Sequence, residues 1–256
     1  ITVIKGLFAF LTRSRYLEHD PWNEIATPKR SGKRLNVHRI LTSDQWQAVL
    51  DELDGMERGE AYYRLRLALW LLYTSGLRLF ELVGLRVANL RRTPYGDWEL
   101  HLLGKGEKER EIPLAEAVMD MVSDYFEARG LGRTPANWAA ATPILATLEH
   151  RLQHVATPGK ALADSSLFKL LKRHFEIAAE RLDDLIDANQ LRSASTHWLR
   201  HTFATEALAQ GAGQDVVQEL MGHADPATTA LYVHASRDRK RAAVEALAAT
   251  RIRGSQ

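Results

Sequence analysis

The chain of 256 residues contains no cysteine. Disulfides, thiolate zinc sites and thiol nucleophiles are therefore excluded. Long apolar runs are missing too. The longest lies around Leu67 to Tyr73, far too short to span a membrane. There is no signal-peptide pattern, so the cytoplasm is the expected compartment and no membrane partner is expected. An excess of one charge is also lacking: 34 Lys and Arg stand against 32 Asp and Glu, a net +2. This balance permits a nucleic-acid partner without arguing for one. Repeats and low-complexity segments are absent.

What remains is ordinary for a folded protein, 45% hydrophobic and 26% charged, with room for one large domain and part of another. Basic residues are clustered locally. "PKRSGKR" holds Lys29, Arg30, Lys33 and Arg34 with no acid among them, and "RDRKR" spans Arg237 to Arg241. The chain begins at Ile1 rather than Met, which suggests a piece of a longer protein.

The hydrophobic period marks the elements. Val3, Leu7, Phe8, Phe10 and Leu11 form a helix-like stripe, followed by a linker rich in proline, glycine and charge. "LTSDQWQAVLDEL" opens a helix capped by Thr42 or Ser43. "AYYRLRLALWLLYTSG" is apolar almost all round and reads as a buried helix ending at Gly76. "RLFELVGLRVANL" follows as a short helix. The period then changes to two in "DWELHLLGKGEKEREIPL", a β-hairpin ending near Leu114. Val118, Met121, Val122, Tyr125 and Phe126 share one face of the next helix. Residues 130–164 carry three prolines and read as irregular. "SSLFKLLKRHFEIAAERL", the "HWLRH" helix, "QDVVQELMGHA", "DPATTALYVHA" and a last helix over about Asp238 to Ile252 complete a mostly α (α+β) chain with a small antiparallel β-hairpin.

Five places carry candidate chemistry. His197, Arg200 and His201 lie at i, i+3 and i+4, on one side of a helix. Two His at that spacing suit zinc; a His and an Arg suit a phosphate. Arg78 stands just beyond Gly76, with Glu81 three residues on. Lys105 stands in a hairpin turn between Gly104 and Gly106. His223 follows Gly222 at a helix end, and Tyr232 falls in the short element after it. Each taken alone also has a plain structural reading: an ion-pair arginine, a solvated turn lysine, a core tyrosine.

In order, however, "TSGLRLFEL", "GKGEKEREIPL", "THWLRHTFAT" and "LMGHADPATTALYVH" resemble the signature of the tyrosine recombinase (phage integrase) family over about residues 37–235. The resemblance implies a helical catalytic domain, here 37–256. It makes residues 1–36 the end of the family's core-binding domain plus a basic linker. It also implies DNA strand cleavage and rejoining through a 3′-phosphotyrosine, as integration, excision or dimer resolution. Tyr232 would be the nucleophile, Arg78 and Arg200 the holders of the phosphoryl oxygens, and Lys105 the general acid. His197 would manage the tyrosine proton and His223 would donate to a phosphoryl oxygen. Neither metal nor cofactor is expected, since the arginines supply the charge. His201 is then a structural neighbour. Double-stranded DNA is the expected partner, gripped in part by Lys29, Arg30, Lys33 and Arg34, with a homotetramer on paired sites. A type IB topoisomerase-like enzyme and a catalytically silent DNA-binding regulator on the same fold are the alternatives. The extension after Tyr232 favours the recombinase; its stripe of Val244, Leu247, Ala248 and Ile252 suits either docking on a neighbouring protomer or packing within its own chain.

Overall fold

The structure is a computed structural model that describes residues 2–23, 39–103, 109–148 and 159–222. The chain divides into two compact units, residues 1–34 and 35–256. The first holds helix α1 (Thr2–Arg13) and a 3-10 turn at Pro21–Asn23, with Phe8 and Trp22 rings 6.4 Å apart. Four apolar residues of α1, namely Val3, Ile4, Leu7 and Phe10, are exposed.

Within the second unit, α2 (Ser43–Asp54) starts at Thr42 with a capping box. The Gln45 amide donates to Thr42 Oγ1, and the Thr42 amide donates to Gln45 Oε1. Helix α3 (Glu60–Ser75) is the centre of the unit: Leu65, Leu67, Ala68, Leu69, Leu71 and Leu72 are all fully buried. It ends at Gly76, whose φ is +60°. A Cβ there would also fall 2.4 Å from the Phe203 ring, so both backbone and packing require glycine.

Helix α4 (Leu79–Gly84) is shorter than its sequence suggests. The expected helix through Asn89 and Leu90 stops at Leu85, which is extended. A 3-10 turn (Val87–Asn89) and strand β1 (Leu90–Arg92) follow. The expected hairpin is therefore a three-stranded antiparallel sheet, β1-β2-β3, with β2 at Trp98–Leu103 and β3 at Glu109–Leu114. Leu90 faces Leu100, and Leu100 faces Ile112. The turn from Thr93 to Asp97 closes on Gly96, at φ +96°.

Helix α5 (Glu116–Ala128) buries Val118, Met119, Val122, Tyr125 and Phe126. Met119 takes the fully buried place expected for Met121, which packs half-buried at the edge of the core. Residues 130–148 are more ordered than their prolines suggest. Ile144, Leu145 and Ala146 are wholly buried, and Pro143 and Ala146 form bridges to Arg86 and Ala161.

Helices α6 (Asp164–Ala178), α7 (Leu185–Ser193), α8 (Thr196–Ala209) and α9 (Gln214–Met221) complete the described residues. The sequence reading did not separate α7 as an element. Asp184 caps it, accepting from the amides of Ile186 (2.7 Å) and Asp187 (2.9 Å). Among the described residues no helix is long and apolar enough to cross a membrane. Helices with one small antiparallel sheet are the architecture expected from the sequence.

Candidate active site

Helix α8 packs against α3 with its first turn largely buried, Thr196, Trp198 and Leu199 among it, and His197 alone of that turn exposed. Its position is fixed early: the Leu41 amide donates to Thr202 Oγ1 (2.9 Å), and that hydroxyl donates to Trp198 O (2.8 Å). Trp198 and Leu199 face the core, which turns His197 outward. His197 lines an open cleft of about 710 Å³ together with Arg39, Gln190, Ser193, Ser195 and His201.

Arg200, three residues on, is 6% exposed. Its Nη1 donates to Gly76 O and its Nη2 to Met221 O. The guanidinium thus joins the end of α3 to the end of α9. Carbonyls at a helix C-terminus have no partner within the helix and carry partial negative charge, so cations are favoured there.

Arg78 reaches the same helix end from α4. Its side chain is 32% exposed. Nη2 donates to Gly222 O (3.2 Å) and Nη1 to Glu81 Oε1 (3.0 Å), while the Arg78 amide donates to Glu81 Oε2 (2.7 Å). The Glu81 pairing expected from the i, i+3 spacing is present. Two arginines from distant parts of the sequence therefore donate to consecutive carbonyls, those of Met221 and Gly222.

Glu81 has a second partner that the sequence reading did not single out. Arg110 on β3 grips it with two parallel bonds, Nη1 to Oε1 at 3.0 Å and Nη2 to Oε2 at 2.7 Å. Burial is the largest influence on the Glu81 carboxyl and pushes its pKa up. Bonds from Arg110, the Arg78 amide and the Arg78 side chain outweigh burial and hold the pKa below the usual carboxylate range. The signal in the sequence was the strand alternation, which turns Arg110 inward between Ile112 and the turn.

His201 is pushed down to about 4, by burial first and then by His197, Arg200 and Arg39. It is neutral at physiological pH. Among the described residues, His197 and His201 belong to no group of three possible metal ligands. One such trio does occur there, Glu99, His101 and Glu111, with ligand atoms within 4.8 Å of one another. It lies on the face of the sheet opposite Arg110, since Glu111 and Arg110 are neighbours on one strand.

Of the predicted catalytic residues, Arg78, His197 and Arg200 are described. Lys105, His223 and Tyr232 lie outside the described residues, as do Lys29, Arg30, Lys33, Arg34, the 237–241 cluster and the 238–252 helix.

The family profile described as the phage integrase family matches residues 39–239. The chain belongs to that family. Tyrosine recombinase XerD of Staphylococcus aureus is 31% identical over 241 residues, which cover 94% of this chain and 72% of that protein. XerD of Halalkalibacterium halodurans is 30% identical, with 94% and 71% covered. Two solved structures share the fold. One is the XerH site-specific recombinase bound to its difH substrate, with a TM-score of 0.60 and 22% identity. That match covers 93% of this chain but only 61% of XerH. The other is the Tn1549 transposon integrase in complex with transposon right-end DNA. Its TM-score is 0.59 at 20% identity, with 95% and 76% covered.

Proposed function

We propose that this chain is the catalytic part of a site-specific DNA recombinase, a tyrosine-type enzyme that cuts and rejoins DNA strands by transesterification. One observation carries the reading: Arg78 and Arg200 converge on the carbonyls of Met221 and Gly222, the residues just before His223. Family membership and the recombinases among the relatives named above support it. They favour recombination over topoisomerase-like nicking and over a silent DNA-binding regulator. Residues 1–36 are read as the end of a DNA-gripping domain plus a basic linker, and 37–256 as the catalytic domain.

In this reading Tyr232 Oη attacks the scissile phosphorus and a 3′-phosphotyrosine forms. The bond to the 5′-oxygen breaks, and that oxygen leaves with a proton from Lys105. His197 takes the tyrosine proton, and His223 donates to a phosphoryl oxygen. Charge on the non-bridging oxygens is met by Arg78 and Arg200, whose forked donors suit them. The phosphodiester energy is kept in the covalent link, so no ATP is needed. A 5′-hydroxyl from another strand reverses the step and completes exchange. Lys29, Arg30, Lys33 and Arg34 contribute phosphate contacts, and four copies assemble on paired double-stranded DNA sites.

The test uses nicked duplexes made from DNA flanking the protein's own gene. A nick beside the scissile phosphate lets the 5′ fragment diffuse away and traps the covalent intermediate. The expected result is a protein–DNA adduct whose junction maps to Tyr232 by mass spectrometry. An adduct on Tyr73 or Tyr125, or binding without any adduct, overturns the assignment.

A further inference from the structure

We propose that Arg110 is a positioning residue for the reaction, holding Arg78 and the Gly222 turn in register; the proposal rests on the recombinase reading above. Arg110 is 8% exposed, on the core-facing side of β3 opposite Leu102. Both of its terminal nitrogens are spent on Glu81, at 3.0 and 2.7 Å. The same two carboxylate oxygens accept from the Arg78 side chain and amide, at 3.0 and 2.7 Å. Glu81 is thus a bridge between two guanidinium groups. Without Arg110, the bonds left to that carboxylate come from Arg78 itself, so the group that orients Arg78 loses its anchor on the sheet.

Arg110 also touches the other end of the arrangement. Gly222 closes α9 at φ +58°, and a Cβ built there would lie 2.6 Å from Arg110 Nη1 and 3.2 Å from its Cδ. The guanidinium is the floor on which the Gly222 turn rests, while Arg78 holds the Gly222 carbonyl from the side (3.2 Å). One residue of the strand that follows Lys105 therefore meets both the carboxylate that orients Arg78 and the turn that leads to His223. Geometry errors of about an ångström cost phosphoryl transfer far more than they cost binding, because the charge to be met develops only in the transition state.

A buried ion pair that merely stabilises the fold predicts something different, since hydrophobic replacement of both partners commonly restores stability. Arg110→Gln, Arg110→Lys and the double variant Arg110→Met/Glu81→Leu separate the two. The first readout needs no DNA: the 15N signals of the Arg78 guanidinium. They are expected to broaden or shift in Arg110→Gln and in the double variant, and to stay nearer the wild type in Arg110→Lys. The second uses the trapping duplex with and without a methylphosphonate at the scissile phosphate. That group lacks one of the charged oxygens an arginine must meet.

Arg110→Gln is expected to bind the ordinary duplex normally, yet cleave it about 100-fold more slowly. That deficit should shrink on the methylphosphonate, in parallel with Arg78→Ala. An equal deficit on both substrates, or unchanged Arg78 signals in all three variants, overturns the proposal. A wild-type chain that forms no adduct sinks the recombinase reading alone, and the Arg78 signals then still decide the role of Arg110.

Discussion

Among the described residues the apolar interior comes in two parts of very different size. One runs from Leu41 through α2, α3, the sheet, α5, α6 and α7 to Leu199. The other consists of Ala204, Leu208, Val217 and Met221, with Phe203, Ala207 and Ala212 against it. Helix α8 belongs to both: Trp198 and Leu199 lie in the first, Ala204 and Leu208 in the second. Arg200 sits at the crossing. Fully burying one large apolar side chain is worth roughly 1.5–3 kcal/mol, so the described members of the second part contribute far less than those of the first. Its grip on α9 is completed by polar ties, Arg200 to Met221 O and Arg78 to Gly222 O. Among the described residues the scaffold is held by bulk, and α9 by a small apolar cluster together with these two polar ties.

The sharpest way to probe this division removes chemistry and leaves both parts intact. Tyr232→Phe is expected to abolish the protein–DNA adduct, with DNA affinity and melting temperature unchanged. Next come matched truncations. Phe175→Ala in the large part is expected to cost about 3–5 kcal/mol of global stability by denaturant unfolding. Met221→Ala in the small part leaves a comparable kind of void, worth about 2–5 kcal/mol locally. Its expected signature is fast hydrogen exchange over α9 and lost cleavage, at a nearly normal global midpoint. Equal falls in the global midpoint for both variants would break the comparison.

A third probe is pH. His201, beside the site, is lowered from 6.5 to about 4, and His174, in the large part, is lowered by burial against the pull of the Val49 carbonyl. Both fold as neutral imidazoles, so their contribution is intact above about pH 6.5. Below that the unfolded chain takes up protons that the folded chain refuses, and stability falls toward pH 4. His201→Asn should flatten the part of that decline due to His201, measured as the unfolding midpoint between pH 6.5 and 4. The smallest expected effect is that of EDTA. With arginines meeting the phosphate charge, cleavage should be unchanged in excess chelator; restoration of a lost activity by zinc or magnesium would return attention to metal ligands.

The helical fold and the hairpin strands were legible because amphipathic period and strand alternation are local signals. Strand β1 was not, because three residues carry no period. Its Leu90 looks helical after α4, and only pairing with Leu100 makes it a strand. Met119 and Met121 were confused because both lie near the edge of the apolar face, and the packing of α3 against α5 decides between them. Helix α7 was missed for want of an apolar stripe: Leu185 and Ile186 are exposed, and only Ala188 and Leu191 are buried. In the candidate site, Arg78 and Arg200 were singled out from their boxes and Glu81 from its spacing, and the fold brings the two arginines to one helix end. Arg110 was passed over although the alternation sets it on the face of Ile112 and Leu114, because only the Glu81 carboxylate of α4 explains a cation kept there.

The bond from Arg200 to Gly76 has a consequence for how the protein is made. A ribosome delivers Arg78 early, Gly76 with it, and Arg200 only after most of the domain has emerged. Arg200 donates across 124 residues to Gly76 and across 21 to Met221. Contacts of such sequence separation close late, after local helices have formed. A nascent chain released before Met221 would contain both Arg78 and Arg200 but not the Met221 and Gly222 carbonyls on which they converge.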